Sequence, residues 1–225
     1  MRFIPGAACL MFCAILAASC AAATPAASAA PATAQAAAST SPARTGITFK
    51  VGPSSKATLK VREQLANVAA PSDAILTTNA VSGSFTLLPD GTFTPDSKIA
   101  VDLRTLKSDR TQRDQFIQRN PLETATFPNA EFVPKRTAGL ALPLAATGDL
   151  TFTITGSMTI HGTAKDVTLD VTAKRAGADL TATATNATSP WKFADFGLTP
   201  PSVFVVISIV DRLDMQIDLV ATEVR

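Results

Sequence analysis

One stretch of strict alternation between apolar and polar residues, from Leu150 to Ile160, constrains the fold of this chain more than any other feature. Every second residue in it is apolar or glycine, and threonine or serine stands between them. A period of two over this length predicts a β-strand with one face toward a core and the other toward solvent. With its flanks the strand is about 14 residues or roughly 45 Å long, whereas a typical strand has about 5–6 residues. His161-Gly162 predicts a turn, and alternation resumes in residues 167–171, so the stretch is predicted to form a long hairpin.

Shorter segments with the same period occur along the rest of the chain, and one segment is helical in period. The predicted strands include residues 57–61, 81–87, 99–103, 180–184 and 213–221. Residues 203–210 are apolar throughout apart from one serine, which predicts a strand buried on both sides or covered by a loop. A short helix is predicted with Ser108 or Asp109 as its N-cap; it runs to about residue 118, before Asn120-Pro121. Many alternating strands with short turns predict an all-β fold, either a barrel or a sandwich.

The N-terminal residues have the pattern of an export signal. Residues 7–18 form an apolar run that is too short to span a bilayer, which needs about 20 residues. Residues 16–20, Leu-Ala-Ala-Ser-Cys, resemble a bacterial lipobox. Residues 1–19 are therefore predicted to be a signal peptide, and Cys20 the lipid anchor. The alternative is ordinary cleavage among the alanines, for example after Ala23, which would give a soluble secreted or periplasmic protein.

Residues 20–45 are predicted to be a disordered linker, because they consist almost wholly of alanine, threonine, proline and serine. Residues 46–225 then form one folded domain. Ala21 follows the lipobox cysteine in place of the aspartate that commonly marks inner-membrane retention. The predicted location is therefore the cell envelope, as an outer-membrane lipoprotein that faces the periplasm.

Several short motifs resemble the YceI-like family of lipid- and polyisoprenoid-binding proteins. They are Gly-Asp-Leu-Thr at 148–151, Thr-Ile-His-Gly at 159–162, Ile-Ala-Val-Asp-Leu at 99–103, Arg113-Asp114, Phe127-Pro128 and Asp-Phe-Gly-Leu at 195–198. The resemblance implies an elongated antiparallel β-barrel of about eight strands, similar to lipocalins, with one or two short helices. It also implies a long apolar tunnel that holds an isoprenoid or other lipid tail. Residues 69–80 look like an insertion relative to the family.

The predicted tunnel lining consists of aromatic residues and of residues on the inward parity of the strands. They are Phe85, Leu103, Phe116, Phe127, Phe132, Leu150, Phe152, Ile154, Ala182, Ala184, Trp191, Phe196 and Ile217. The two alanines are expected to leave space inside the barrel instead of filling it. Trp191 and Phe196, together with Phe193, are either ordinary core or the lining of one tunnel end. Arg113 is predicted to contact the ligand's head group, or alternatively to form a local ion pair that fixes the helix to the sheet.

The sequence contains few residues of the types that form catalytic or metal sites. His161 is the only histidine, and Cys20 is the only cysteine beyond the predicted signal, so neither a zinc site nor a Cys-His pair is predicted. A formal net charge of +2 argues against a nucleic-acid surface. No catalytic residue, metal or cofactor is therefore predicted, and no nucleic acid is expected as a partner. The sequence leaves the oligomeric state open.

The predicted function is that of a non-catalytic carrier. Its barrel would sequester a long apolar tail of the polyisoprenoid, quinone or fatty-acid type, and the N-terminal lipid would anchor it to a membrane. The main alternative is a structural or interaction lipoprotein with a solid barrel and a protein partner. An enzyme on the same scaffold is a third hypothesis, which would need a polar cluster inside the barrel.

Overall fold

The structure is a computed structural model, and it describes residues 45–224. The predicted signal peptide, Cys20 and all but the last residue of the predicted linker lie outside the described residues. They therefore stay predictions.

The described residues contain eleven β-strands, one α-helix and two short 3-10 helices, at residues Leu103–Thr105 and Phe193–Phe196. The α-helix α1 spans Thr111–Arg119. The strands are β1 Ile47–Val51, β2 Lys56–Leu65, β3 Ser72–Thr78, β4 Val81–Leu87, β5 Lys98–Asp102, β6 Asn129–Ala138, β7 Thr147–Ile160, β8 Thr163–Ala176, β9 Asp179–Thr185, β10 Val206–Ile209 and β11 Asp214–Val224.

The strands form one antiparallel sheet that closes on itself, because β1 pairs with β4 on one side and with β11 on the other. At three places in the wall, two consecutive strands lie end to end and together form one strand of the barrel. These pairs are β1 with β2, β3 with β4, and β10 with β11. Counting each pair once gives a closed barrel of eight strands with one α-helix, as the sequence predicted. Ser55 bridges the break between β1 and β2, since its hydroxyl accepts from the backbone N–H of Val220 and donates to the carbonyl of the same residue.

The long hairpin predicted from the alternating stretch is confirmed by β7 and β8, which pair along their whole length from Thr147↔Ala176 to Ile160↔Thr163. The turn between them is built from His161 and Gly162, which both have positive φ angles. The apolar parity faces inward: Leu169 and Val171 are buried, and Phe152 and Ile154 pack against the core.

Helix α1 lies at the end of the barrel that contains the turn at His161-Gly162, here called the cavity end. The segment before α1 continues the wall, because Lys107 pairs with Thr77 of β3 and the N–H of Leu103 donates to the carbonyl of Pro128, just before β6. The predicted helix is confirmed, but its N-cap is Arg110 instead of residue 108 or 109. Residues 69–80, interpreted as an insertion relative to the family, contain strand β3.

The buried strand predicted at residues 203–210 is wrong in two respects. Only Val206–Ile209 form a strand, and this strand pairs with β2 alone at the rim of the barrel. Phe204 is fully exposed, and Ile207 is 67% exposed. The physical reason is that β10 lies at the rim, where the barrel interior covers only one of its two faces. One face of the segment points to the interior, and the other face meets solvent.

Candidate functional site

The cavity end of the barrel encloses an apolar cavity with a volume of about 380 Å³. Its walls come from alternate residues of the strands that meet there: Ala57, Leu59 and Val61 of β2, Ala74 and Leu76 of β3, Phe132 of β6, Met158 of β7, and Met215 and Ile217 of β11. Phe116 and Ile117 of α1 and Val203, Val205 and Val206 of the rim segment line the mouth. The alternation that makes each strand also places an apolar row inside, so the walls offer hydrophobic contact almost everywhere.

The polar groups that line the cavity are concentrated where α1 meets β2. Arg113 of α1 donates from Nη2 to Oε1 of Glu63 at 2.6 Å and from Nη1 to Oδ1 of Asp109 at 2.5 Å. The Arg113 and Glu63 side chains are largely buried, at 15% and 8% exposed. Arg110 also lines the cavity, and its Nε lies 3.6 Å from Oδ2 of Asp109. Both cations therefore already face carboxylates. The Arg113 pair joins α1 to β2, which is the arrangement that the local ion-pair alternative describes.

The residues predicted to line the tunnel fall into two groups. Those that line the cavity are Leu103, Phe116, Phe132, Trp191 and Ile217, together with Arg113. Those that are not among the residues lining this cavity are Phe85, Phe127, Leu150, Phe152, Ile154, Ala182, Ala184 and Phe196. The second group consists of Phe127 and Phe196, which lie behind the lining at the cavity end, and six residues farther along the barrel.

Aromatic side chains cluster in the other half of the barrel. Phe49 and Phe85 stack with ring centroids 5.5 Å apart, and Phe93 meets Phe85 edge-on at 6.2 Å. Ala182 and Ala184 pack against the same hydrophobic core. Both alanines are partly buried, and neither is part of the cavity lining.

Phe196 and Phe127 support residues at the cavity end without lining it. Phe196 is fully buried and meets Trp191 edge-on at 5.3 Å, so it backs a wall residue of the cavity. Phe127 lies 4.5 Å from the His161 ring, and its ring occupies the place that a side chain at Gly162 would need. The sequence predicted that the aromatic cluster of Trp191, Phe193 and Phe196 is either core or cavity lining. In the structure Trp191 and Phe193 line the cavity, and Phe196 belongs to the core.

An ion pair ties this aromatic cluster to the hairpin. The pKa of Asp195 lies below its ordinary value, first because Lys165 donates a hydrogen bond to the carboxylate and second because the backbone N–H of Lys192 does so. The Lys165 Nζ–Asp195 Oδ1 distance is 2.6 Å. Lys165 is on β8, and Asp195 is in the 3-10 helix Phe193–Phe196, so the pair holds this helix against the barrel.

The end of the barrel opposite the cavity, here called the closed end, contains a buried cation. Arg175 of β8 is 6% exposed, and its guanidinium lies 5.4 Å from the centre of the Phe49 ring. It donates to the carbonyls of Leu144, Ala145 and Gly177 and pairs with Glu223 at 2.5 Å. These contacts hold the loop between β6 and β7 over the barrel end.

Sequence reasoning missed the contribution of β3 and of the rim segment to the cavity. Ala74 and Leu76 line it, but Ile75 between them is 47% exposed, so three consecutive apolar residues hide the period of two. A weak signal was present in Asp73 and Thr77, which flank this run on the outward parity. Pro201 and Val203 are in irregular structure, where no periodicity indicates which side chains face inward.

Two further properties concern the described part of the chain. Within residues 45–224, no group of three or more histidine, cysteine, aspartate or glutamate side chains is arranged to hold a metal ion. None of the helices in the same range combines the length and the apolar character needed to cross a membrane.

Comparison with known proteins gives one family and several relatives. Residues 40–221 match the family model of the YceI-like domain. A UPF0312 protein of Pseudomonas putida is 35% identical over 124 residues, which are 50% of this chain and 61% of the relative. A UPF0312 protein of Pseudomonas fluorescens matches with the same identity and the same coverage. The chain therefore covers less than two thirds of these relatives' length.

Solved structures with the same fold share little sequence with this chain. A polyisoprenoid binding domain from Saccharophagus degradans, implicated in plant cell wall breakdown, superposes with a TM-score of 0.61 at 15% identity. The match covers 80% of this chain and 100% of that one. BcnA from Burkholderia cenocepacia gives a TM-score of 0.57 at 19% identity, with 76% of this chain and 99% of that chain covered. At such identities the similarity shows the barrel fold.

Proposed function

The chain belongs to the YceI-like domain family, and on that premise we propose that it is a non-catalytic binding protein that takes the apolar part of a lipid into its barrel. The observation that carries the proposal is the apolar cavity of about 380 Å³ at the cavity end. A solved structure with this fold is described as a polyisoprenoid binding domain, which supports a lipid as the ligand. Cavities of about 300–1,000 Å³ with apolar walls and few polar groups are typical of small-molecule sites.

The ligand classes that this cavity fits are an isoprenoid, a quinone tail and a fatty chain. Affinity comes mainly from burial of methylene groups, at about 0.8 kcal/mol each. The cations that line the mouth, Arg110 and Arg113, already lie close to carboxylates. A phosphate or carboxylate head group would have to compete with Glu63 and Asp109 for them. The arrangement therefore favours a ligand whose polar end is uncharged.

The proposed setting is the cell envelope, with Cys20 acylated and the barrel held at the outer membrane on the periplasmic side. The support for this setting is the lipobox-like sequence at residues 16–20 and the polar, alanine-rich stretch that follows it. A soluble periplasmic or secreted protein is the alternative. The lipid-binding proposal depends on the cavity alone and is the same for both settings.

Filling the cavity from one wall tests the function. Ala74 lines the cavity and Ile75, the next residue of β3, is 47% exposed on the outside. Ala74→Phe should lower the affinity for the neutral apolar dye phenylnaphthylamine, and for farnesol as its competitor, by about tenfold or more. The reason is that the ring replaces two or more buried methylene groups. Ile75→Phe is the matched control and should bind as the unchanged protein does.

Dye fluorescence titrations give these affinities, and thermal melts show that both variants fold. Equal binding by the Ala74→Phe and Ile75→Phe variants would place the lipid elsewhere and contradict the proposal. Unchanged protein that binds neither dye nor farnesol would favour the interaction-protein alternative. Its natural docking surface would be the exposed apolar side chains between Phe204 and Val210.

A further inference from the structure

The cavity lining stops at a definite level on the wall strands β7 and β11. On β7 the lining residues are Ile160 and Met158. Gly156 is the next inward residue of this strand, and it is not part of the lining. On β11 the lining reaches Ile217, and the buried Leu219 beyond it is not part of the lining. One layer of inward residues therefore marks the inner limit of the lining.

The ring of Phe132 lies in this layer. A Cβ atom placed at Gly156 would come within 2.5 Å of Cζ and 2.6 Å of Cε2 of Phe132. Real Cβ atoms do not approach other atoms so closely, so the ring occupies the space that any side chain at this position would take. Phe132 lines the cavity, and its ring rests on the backbone of β7 one inward step beyond Met158. Glycine at this position of a long strand is what lets the ring lie against the backbone of β7.

Buried residues of β8 lie beyond the ring. Val167 is paired with Gly156 across the hairpin and is buried, and Leu169, the next inward residue of β8, is 2% exposed. A chain that enters from the mouth therefore meets the Phe132 ring at the inner limit of the lining, with these buried side chains beyond it.

We propose that Phe132, seated on Gly156, is the floor of the cavity and the residue that limits the length of apolar chain the protein accepts. This inference rests on the proposed function, which it makes more specific. The ligand class is an apolar chain or isoprenoid that ends at this floor, or the terminal part of a longer one whose remainder stays outside the mouth.

The test compares chain-length profiles. The straight-chain alcohols decanol, dodecanol, tetradecanol, hexadecanol and octadecanol are delivered from a cyclodextrin carrier and displace phenylnaphthylamine from the full chain. The measured quantity is the ratio of a variant's affinity to that of the unchanged protein at each length, which cancels the solubility and carrier terms. Phe132→Ala and Phe132→Leu should deepen the cavity. Ala57→Leu should make it shallower, since Ala57 is the lining residue of β2 nearest to the closed end.

The expected ratio for Phe132→Ala is near one for decanol and rises to about tenfold or more for octadecanol, because each further buried methylene is worth about fourfold. Phe132→Leu should show a smaller rise, and Ala57→Leu should show a ratio that falls below one as the chain lengthens. Leu169→Ala is the matched control: it also removes a buried side chain, but behind the ring, and its ratio should stay near one at all lengths.

A ratio for the Phe132 variants that is the same at every length, or a rise with Leu169→Ala equal to that with Phe132→Ala, would overturn the inference. If Phe132→Ala does not fold, the Phe132→Leu and Ala57→Leu profiles decide the question in the same way. Failure of the proposed function itself would look different, because the unchanged protein would then bind neither the dye nor any of the alcohols.

Discussion

Replacing Arg175 by methionine should lower the free energy of unfolding by about 3 kcal/mol, because Arg175 is one partner of a buried ion pair and the other partner stays behind. The Arg175 side chain is 6% exposed and that of Glu223 is 21% exposed. The figure is taken from the lower end of the range for such removals, since Glu223 keeps some access to water. The carbonyls of Leu144 and Ala145 also lose the donor that they share.

Urea unfolding of four proteins measures this effect: the unchanged chain, Arg175→Met, Glu223→Gln and the double variant. Removing both partners of a buried pair is less harmful than removing one. The double variant should therefore be destabilised by clearly less than the sum of the two single changes. Sodium chloride should change the result little, because the pair is shielded from solvent.

An exposed pair on the same barrel provides the control. Lys135 and Asp166 lie 2.7 Å apart, but their side chains are 52% and 73% exposed. Lys135→Met should therefore change the free energy of unfolding by no more than about 0.5 kcal/mol. If Arg175→Met is as mild as Lys135→Met, the argument that burial makes the Arg175 pair important is refuted.

Two other predictions concern the lipid anchor at Cys20 and the ion pair between Lys165 and Asp195. Cys20→Ala should abolish incorporation of a fatty-acid analogue in labelled cells, and equal labelling of both forms would exclude Cys20 as the anchor. The pKa of Asp195 is lowered first by the hydrogen bond from Lys165. The stability that the ionised Asp195 contributes to the fold is therefore fully present above the ordinary aspartate pKa of 3.8, and it is lost as the pH falls through the lower folded-state pKa. The stability difference between the unchanged protein and Asp195→Asn should thus shrink on acidification below about pH 4, and a difference that grows there in pH-dependent urea melts would contradict the assignment.

The all-β class could be predicted from the residues because its strongest signal is local, whereas the closed barrel was implied by the resemblance to the family. In the hairpin of β7 and β8, alternation runs for many residues without interruption and a His-Gly turn separates the two arms. Strand β3 could not be found in this way, since Ile75 adds an apolar residue on the solvent side. The exposed side of the rim strand β10 was equally hidden, because an apolar run does not show whether anything covers it.

The position of Arg175 shows a second limit of periodicity. It continues the inward row of Val171 and Ala173 on β8, so the alternation itself points it into the barrel. A charge on the inward parity is normally evidence against that parity, because desolvation is costly. Here Glu223 and three backbone carbonyls, all distant in sequence or in loops, compensate the charge. Such compensation depends on the closed barrel and leaves no local pattern.

The extent of the cavity depends on the same kind of non-local contact. The sequence shows which residues face inward, and on that basis Phe132, Phe152 and Ala184 are equivalent candidates for a tunnel wall. Whether an inward residue lines a space or fills it is decided by what lies opposite and diagonal to it across the barrel. Phe132 closes the interior because Gly156 on the neighbouring strand leaves room for its ring. A barrel with the same inward pattern but a side chain at residue 156 would have to place that ring elsewhere, and its cavity would have a different length.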